Sequence, residues 1–223
     1  MKTSTTSPVG AVYDRRFSDA DAERKDEIWR EIVRYLQRYV GDRAAVMDIA
    51  CDRGHFIRHV AAAEKWAADV RDVSGFLPPD VRFLQTDGVA LADSAPNDHF
   101  DVVFMSNYLE HLETGDQVVE QFRAVRRLLK VAGRVIVLQP NIRLVGQAYW
   151  DFIDHKVPLT EKSLTEAAEL SGFRTHTLIV RFLPYTTKSR LPQHRRLVRA
   201  YLAFRPAWRL FGGQTLYVGE ARS

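Results

Sequence analysis

The segment Val46–His59, V-M-D-I-A-C-D-R-G-H-F-I-R-H, constrains the fold of this chain more than any other. An apolar run reaches Asp48, small and polar residues follow, and a helical pattern starts after Gly54. This order predicts a strand, a tight turn and a helix N-terminus, which together cradle a nucleotide-like ligand in open α/β sheets. The segment therefore indicates both a fold class and the position of a ligand.

Apolar runs and helical patterns alternate through the first 140 residues, which predicts a mostly parallel sheet with helices on both faces. The predicted strands cover 44–50, 65–70, 81–86, 100–106, 134–138, 174–182 and 214–220. Helix starts are predicted at three capping boxes, which are Ser18-x-x-Asp21, Thr114-x-x-Gln117 and Ser163-x-x-Glu166. The first of these helices is predicted over 19–40, and another over 54–63.

Length and composition fit one α/β domain of 223 residues with a full core. The single cysteine, Cys51, excludes an internal disulfide framework and favours a reducing, cytoplasmic location. No apolar run approaches the roughly 18–20 residues of a membrane helix. Residues 1–10 are rich in Ser and Thr and lack an apolar core, so we expect a loose tail rather than a signal peptide.

Charge is divided unevenly along the chain. The segment 171–219 contains nine Lys and Arg residues and no Asp or Glu, whereas the remainder carries 23 basic and 28 acidic residues. This asymmetry indicates an anionic partner for the C-terminal segment. A solvated basic face explains the pattern equally well, and both interpretations stay open.

Three acids each end one of the first three predicted strands: Asp48, Asp69 and Asp87. The carboxyl ends of adjacent parallel strands open onto one crevice. There Asp69 can accept hydrogen bonds from both ribose hydroxyls of a nucleoside, and Asp87 can meet an exocyclic amine of the base. Asp48 lies under the turn, where it can orient loop N–H groups or the ligand. The alternative for each acid alone is a turn or helix cap.

These motifs resemble those of the class I S-adenosylmethionine-dependent methyltransferases. The first-strand signature stands as D-I-A-C-D-R-G at 48–54, and the fourth-strand segment as F-D-V-V-F-M-S-N-Y-L-E-H-L at 100–112. L-L-K-V-A-G-R-V-I-V-L at 128–138 and S-L-T-E-A-A-E-L-S-G-F at 163–173 are similar to the passages around strands five and six. Ala50 and Asp52 replace usual glycines, so Asp52 either shapes the site for the ligand's amino group or weakens cofactor binding.

The resemblance implies a Rossmann-like seven-stranded methyltransferase sheet, mostly parallel with an antiparallel last strand and helices on both faces. It implies an N-terminal tail and lid helix over 1–43 and a methyltransferase domain over 44–223, with acceptor-site insertions at about 141–160 and 184–212. The implied cofactor is S-adenosyl-L-methionine. Its candidate contacts are Tyr13, Arg16, Asp48, Ala50, Cys51, Gly54, Asp69, Thr86, Asp87, Gly88, Ser106, Asn107 and Tyr108.

The implied reaction is methyl transfer to an oxygen, because two histidines are base candidates. His111 follows the fourth strand, and His155 lies in the aromatic-rich segment 146–158. Tyr149, Trp150 and His155 are the candidate acceptor contacts, and no metal site is expected.

The expected acceptor is a small molecule, sugar or lipid-linked compound, and an anionic one, since aromatic side chains suit its body and arginines suit a phosphate or carboxylate. Nucleic acid is a less favoured partner, and peripheral membrane contact is compatible with the charge pattern. The alternative function is a catalytically weakened protein of the same fold that binds RNA or an anionic membrane through its basic C-terminal segment.

Overall fold

The computed structural model describes residues 19–185 and 194–222. Within these residues, seven strands form one sheet in the order β3-β2-β1-β4-β5-β7-β6. The strands are β1 (Ala45–Ile49), β2 (Glu64–Asp69), β3 (Val81–Gln85), β4 (Phe100–Ser106), β5 (Leu129–Pro140), β6 (Phe173–Leu183) and β7 (Gln214–Ala221).

The pairing of the strands is mixed. Strands β1 to β5 are parallel to one another, and β7 runs antiparallel between β5 and β6. The predicted sheet, mostly parallel with an antiparallel last strand, is therefore confirmed. Because β1 lies between β2 and β4, successive connections leave β1 in opposite directions, which opens a crevice at its carboxyl end.

Eight helical segments flank the sheet in the described chain, and several are a single turn. They are α1 (Asp19–Leu36), α2 (His55–His59), α3 (Leu91–Ser94), α4 (Gly115–Leu128), α5 (Ile142–Val145), α6 (Glu161–Leu170), α7 (Arg195–Ala203) and α8 (Arg205–Phe211). The 3₁₀ segments include Leu109–His111 and Gly146–Asp151. None of the described helices is long and apolar enough to cross a bilayer.

Helix boundaries follow local capping with two corrections. Thr114 caps α4 as predicted, since its side chain accepts from the Gln117 N–H. The predicted cap at Ser163 is wrong, because Thr160 caps α6 and Ser163 completes that capping box three residues later. The second helix ends at His59 rather than at 63, because the N–H groups of Ala63 and Glu64 bond the Ala44 carbonyl at the start of the sheet. The predicted cap at Ser18 lies outside the described residues.

Each face of the sheet is covered by its own apolar layer. One layer packs α4 and α6 against the sheet through fully buried residues such as Phe122 and Phe173. The other packs α1, α2 and the α7–α8 pair through Leu36, Phe56 and Trp208. Burial of these side chains, at about 1.5–3 kcal/mol each, fixes the carboxyl ends of the central strands in one place.

Candidate active site

The turn after β1 has an alternating left-handed backbone. Ala50, Asp52 and Gly54 have φ values of 55°, 49° and 70°. Only glycine adopts this conformation without strain, and other L-residues pay about 1–2 kcal/mol for it. The two glycine replacements noted in the sequence thus occupy positions whose backbone is strained, as expected for residues at glycine sites of a tight ligand-binding turn.

Asp48 lies beneath this turn and is almost fully buried. Its carboxylate accepts from the backbone N–H of Ile57 in α2, and among the described residues its Oδ2 has no hydrogen-bond partner. Burial raises the pKa of Asp48 well above its usual value, and the nearby Asp69 and Asp52 carboxylates add to the effect. The side chain therefore ties the turn to the first helix after β1, with one oxygen left over for a polar group.

Asp69 ends β2 and is 5% exposed, as expected for an acid directed into the crevice. Its Oδ1 accepts from the N–H of Arg71 at 3.0 Å and from Arg71 Nε at 3.1 Å, and its Oδ2 accepts from the Asp52 N–H at 3.1 Å. The guanidinium of Arg71 also donates to Asp52 Oδ1 at 3.0 Å. Arg71 therefore bonds Asp69, the carboxylate that the sequence analysis predicts to accept hydrogen bonds from the ribose.

Lys25 of α1 closes the same network, with its Nζ 3.6 Å from Asp52 Oδ2. Burial acts to raise the pKa of Asp52, but Lys25 and Arg71 outweigh it, so the pKa of this carboxyl is lowered. Burial acts to lower the pKa of Arg71, and its bonds to Asp69 and Asp52 more than reverse this, so the guanidinium stays charged. Two acids and two bases therefore form a compact ionic group at the mouth of the crevice.

Asp87 follows β3 and is exposed, but its Oδ1 already accepts from the N–H groups of Val89 and Ala90. Its second oxygen is left for another donor. The buried Gly88 beside it has no room for a Cβ, which would collide with the side chains of Gln121 and Tyr108. The Tyr108 hydroxyl donates to Gln121 Oε1 at 2.8 Å, and burial raises the pKa of Tyr108. The segment after β3 is thereby joined to the segment after β4.

The remaining predicted cofactor contacts divide between the crevice rim and the interior. Ser106 and Asn107 are linked by a 2.9 Å side-chain bond at the end of β4, and Asn107 has a φ of 48°. Thr86 is half-buried, and its N–H donates to the Asp69 carbonyl. Cys51 is buried, and burial strongly raises the pKa of its thiol. Tyr13 and Arg16 lie outside the described residues.

The two predicted catalytic histidines lie together, one after β4 and one after β5. The ring centroids of His111 and His155 are 5.1 Å apart. The Nδ1 of His111 is 2.9 Å from the Asp154 carbonyl oxygen, and Nε2 is 3.9 Å from Glu110 Oε1. Although Asp154 and His155 are adjacent in sequence, it is His111 that the Asp154 backbone contacts.

Glu110 anchors this pair from below. It is 1% exposed, its Oε2 accepts from the Gln139 amide at 3.0 Å, and its carbonyl accepts from the N–H groups of Lys156 and Val157. Burial raises the pKa of Glu110. These bonds hold the 154–157 segment directly over the turn after β4.

The aromatic segment surrounds His155. The Phe152 ring stacks on His155 at 5.0 Å, and the Tyr149 ring meets it edge-on at 4.8 Å. Tyr149 is fully buried and its hydroxyl donates to the Val157 carbonyl at 2.5 Å, so it supports this wall from inside and does not face solvent. Trp150 is 51% exposed and remains available to a ligand.

Several charged residues that contact the predicted site residues were not identified from the sequence. Arg71 and Lys25 were not identified, although Arg71 follows Asp69 by two residues and an arginine so placed is a local signal. Glu110 precedes His111 in L-E-H-L and was not singled out. Val70, which directly follows Asp69 at the end of β2, is a 65% exposed apolar residue that was also not singled out.

The basic C-terminal segment is partly neutralised within the chain. Arg195 Nε and Arg199 Nη2 donate to Glu31 Oε1 at 2.6 and 2.9 Å, and Glu31 is nearly fully buried. These hydrogen bonds lower the pKa of Glu31 to about 2. Two arginines therefore fasten α7 to α1, whereas Arg196 and Arg209 are exposed.

Comparison with known sequences and structures agrees with this geometry. A family model described as a methyltransferase domain matches residues 21–178. A search of curated proteins finds no match.

Three solved structures illustrate the shared fold. An S-adenosylmethionine-dependent methyltransferase from Archaeoglobus fulgidus is 18% identical over 88% of this chain and 94% of its own, with a TM-score of 0.65. A methyltransferase from Haloferax volcanii, in complex with the Trm112 methyltransferase activator, is 17% identical over 92% and 96%, with a TM-score of 0.65. The [4+2]-cyclase SpnF is 16% identical over 86% and 80%, with a TM-score of 0.60.

Proposed function

We propose a specific reaction for a chain that belongs to the class I S-adenosylmethionine-dependent methyltransferase family. The chain transfers the methyl group of S-adenosylmethionine to an oxygen of an anionic small-molecule, sugar or lipid-linked acceptor. The observation that carries the proposal is the short separation along the chain between the end of β4 and the histidine pair. Residues 106–108, which we propose contact the cofactor, lie at the carboxyl end of β4, and His111, three positions later, contacts His155 of the aromatic segment.

The residues around the crevice fit an adenosyl group. Asp69 would accept the ribose hydroxyls once Arg71 moves aside, and the apolar Val70 would contact a face of the base. The second oxygen of Asp87 would accept from the exocyclic amine. The unpaired Oδ2 of Asp48 and the left-handed turn at 50–54 leave polar groups for the amino-acid end of the cofactor.

S-adenosylmethionine supplies an activated methyl group on a positively charged sulfur. The main work of the chain is then to align the acceptor oxygen with that carbon, which can contribute many kcal/mol to the rate. In this proposal the histidine pair would assist ionisation of the acceptor hydroxyl. The packed rings of Tyr149 and Phe152 fix the orientation of His155, so little reorganisation is required.

The acceptor class is inferred from two kinds of exposed group. Trp150, in the aromatic segment that contains His155, offers an aromatic face, and the insertion that precedes β7 carries exposed arginines, among them Arg196, Arg205 and Arg209. An aromatic surface suits an apolar or sugar-like body, and guanidinium groups suit a phosphate or carboxylate. The neighbour with an activator subunit adds a protein activator to the candidate partners.

A specific observation favours one form of the alternative function. On the α7–α8 pair, Phe204, Leu210 and Phe211 are 62%, 77% and 47% exposed, and the same two helices carry the exposed Arg196, Arg205 and Arg209. Exposed apolar side chains within a basic surface favour an anionic membrane over RNA, because the apolar groups would enter the lipid interface. In this alternative the fold binds a membrane and transfers no methyl group.

Calorimetry and a methyl-transfer assay distinguish the two functions. The full chain is titrated with S-adenosylmethionine, and transfer of radiolabelled methyl is measured on a panel of sugar phosphates and long-chain alkyl phosphates. The proposal predicts cofactor binding in the micromolar range and label in at least one anionic acceptor. Binding to phosphatidylglycerol vesicles without detectable cofactor binding would instead establish the alternative.

A further inference from the structure

We infer that Glu110, His111 and His155 form a binding site for a divalent first-row transition-metal ion of the Zn²⁺ type. One side-chain ligand atom from each residue lies within 4.8 Å of the other two. The inference rests on the proposed function in one respect, since the ion, in place of a free imidazole base, would promote loss of the acceptor hydroxyl proton to solvent water in the same pocket. It departs from the sequence-based expectation of no metal site.

The spacing of the three groups suits such an ion. A tetrahedral Zn²⁺ about 2.1 Å from each ligand atom would hold those atoms about 3.4 Å apart. The distance between His111 Nε2 and Glu110 Oε1 is 3.9 Å, and no pair in the cluster exceeds 4.8 Å. Shifts of about 1 Å or less at side-chain ends would therefore close the site.

The hydrogen bonds of His111 orient the correct nitrogen. A carbonyl oxygen can only accept, so the 2.9 Å contact with the Asp154 carbonyl requires the proton on Nδ1. In the neutral ring the lone pair is then on Nε2, the atom that faces Glu110. Metal-bound histidines almost always donate their other N–H to a carbonyl or carboxylate in this way.

Neighbouring side chains also hold Glu110 and His155 in position. Glu110 is buried, and the Gln139 amide bonds Oε2, whereas it is Oε1 that lies nearer to His111. Buried carboxylates in proteins are paired or coordinate metals, because an isolated buried charge is costly. The Phe152 and Tyr149 rings hold His155 in its place. All three ligands thus come from supported side chains.

The donor set selects the class of ion. Two imidazoles and one carboxylate match three-ligand zinc sites that keep a fourth position open for water or substrate. Imidazole suits Zn²⁺, Co²⁺ and related ions, whereas Mg²⁺ prefers oxygen ligands. An acceptor hydroxyl at the open position would lose its proton more readily, and the oxygen would become a better nucleophile.

The test measures metal binding without cofactor or acceptor. The full chain is stripped with a chelator and titrated with ZnCl₂ and MgCl₂ by calorimetry, and with CoCl₂ by visible absorption. We expect one Zn²⁺ per chain, Co²⁺ bands typical of four-coordinate nitrogen and oxygen ligation, and no Mg²⁺ binding. Glu110→Gln and His155→Gln should each weaken Zn²⁺ binding at least tenfold. His99→Gln should not, although His99 also pairs with an acid, Glu64, at 3.0 Å.

The inference is overturned if the wild-type chain shows no stoichiometric Zn²⁺ binding, or if either Glu110→Gln or His155→Gln binds Zn²⁺ as tightly as the wild type. If Glu110→Gln does not fold, the His155→Gln titration and the wild-type Co²⁺ spectrum still decide the matter. Cofactor calorimetry on the same samples separates the two claims. Cofactor binding without metal binding refutes the site alone, whereas metal binding without cofactor binding refutes the methyl-transfer proposal alone.

Discussion

The pairing of Asp69 with Arg71 makes a quantitative prediction about cofactor affinity. Arg71 bonds both oxygens of the carboxylate that would receive the ribose. Two hydroxyls donating to a buried carboxylate contribute about 1.5–3 kcal/mol each before competing losses. Asp69→Ala is therefore expected to weaken S-adenosylmethionine binding by about 2–3 kcal/mol, which is roughly 30- to 150-fold in Kd.

Replacing the arginine should have the opposite effect. Arg71 is about one-third exposed and keeps Asp52 as a partner after it leaves Asp69, so its displacement costs only about 1 kcal/mol. Arg71→Met removes that cost, and we expect S-adenosylmethionine to bind about fivefold more tightly. Calorimetry at fixed ionic strength measures both changes.

Asp72→Ala is the matched control. Asp72 lies three positions after Asp69, is exposed, and accepts a hydrogen bond from the Ser74 hydroxyl. The substitution removes the same charge from the same loop and should leave the Kd within about twofold, as is usual for a screened surface charge. Circular dichroism verifies that each variant is folded. The reasoning is refuted if Asp69→Ala changes the Kd by less than threefold, or if Arg71→Met weakens binding as much as Asp69→Ala does.

Three further predictions concern stability. Ala50→Gly should raise the free energy of unfolding by about 0.5–1 kcal/mol in urea titrations, because relief of a left-handed alanine exceeds the added entropy of the unfolded chain. Glu31→Gln should lower it by about 2 kcal/mol and reduce Tm by several degrees, since Arg195 and Arg199 lose a buried partner but are themselves half-exposed. Stability should also fall with acid in two stages. Burial lowers the pKa of His55 to about 4, so protonation of the unfolded state removes about 2–3 kcal/mol from the free energy of unfolding as the pH falls from 6.5 to 4. The bonds to Arg199 and Arg195 lower the pKa of Glu31 to about 2, so the stability that they supply is lost as the pH falls from 4.5 to 2.

Controls sharpen these measurements. Ala45→Gly, in the regular backbone of β1, should destabilise the chain, so stabilisation by both glycine variants would contradict the strain argument. The acid loss below pH 4.5 should be absent in Glu31→Gln, and an unchanged acid profile would contradict the assigned ion pair. A His55→Phe variant should lack the loss between pH 6.5 and 4.

Much of the fold could be predicted because its signals are local. The strand β4 was predicted over 100–106, the bounds that the structure shows, since an apolar run between turn residues leaves little choice. The convergence of Asp48, Asp69 and Asp87 on one edge also follows from the sequence, because parallel strands present their carboxyl ends together. Where local signals competed, prediction failed: Ser163 carried a capping pattern, but Thr160 made the cap.

Side-chain contacts between residues far apart in the sequence could not be predicted in the same way. The bond between Glu31 and Arg199 joins residues 168 positions apart, and no periodicity relates them. Nothing local indicates that the backbone of Asp154, rather than that of a nearer residue, would bond His111. Such contacts depend on how loops cross after the sheet has formed.

The sequence by itself determined the strands, the order of helix and strand, the strained turn and the edge of the sheet at which Asp48, Asp69 and Asp87 lie. These properties follow from burial periodicity and backbone preference, which act over a few neighbouring residues. Only the tertiary structure decided that Arg71 covers Asp69, that Glu110 joins two histidines, and that Tyr149 faces inward. Those outcomes depend on free-energy differences of a few kcal/mol between alternative side-chain partners, and only the packed chain brings the partners within reach.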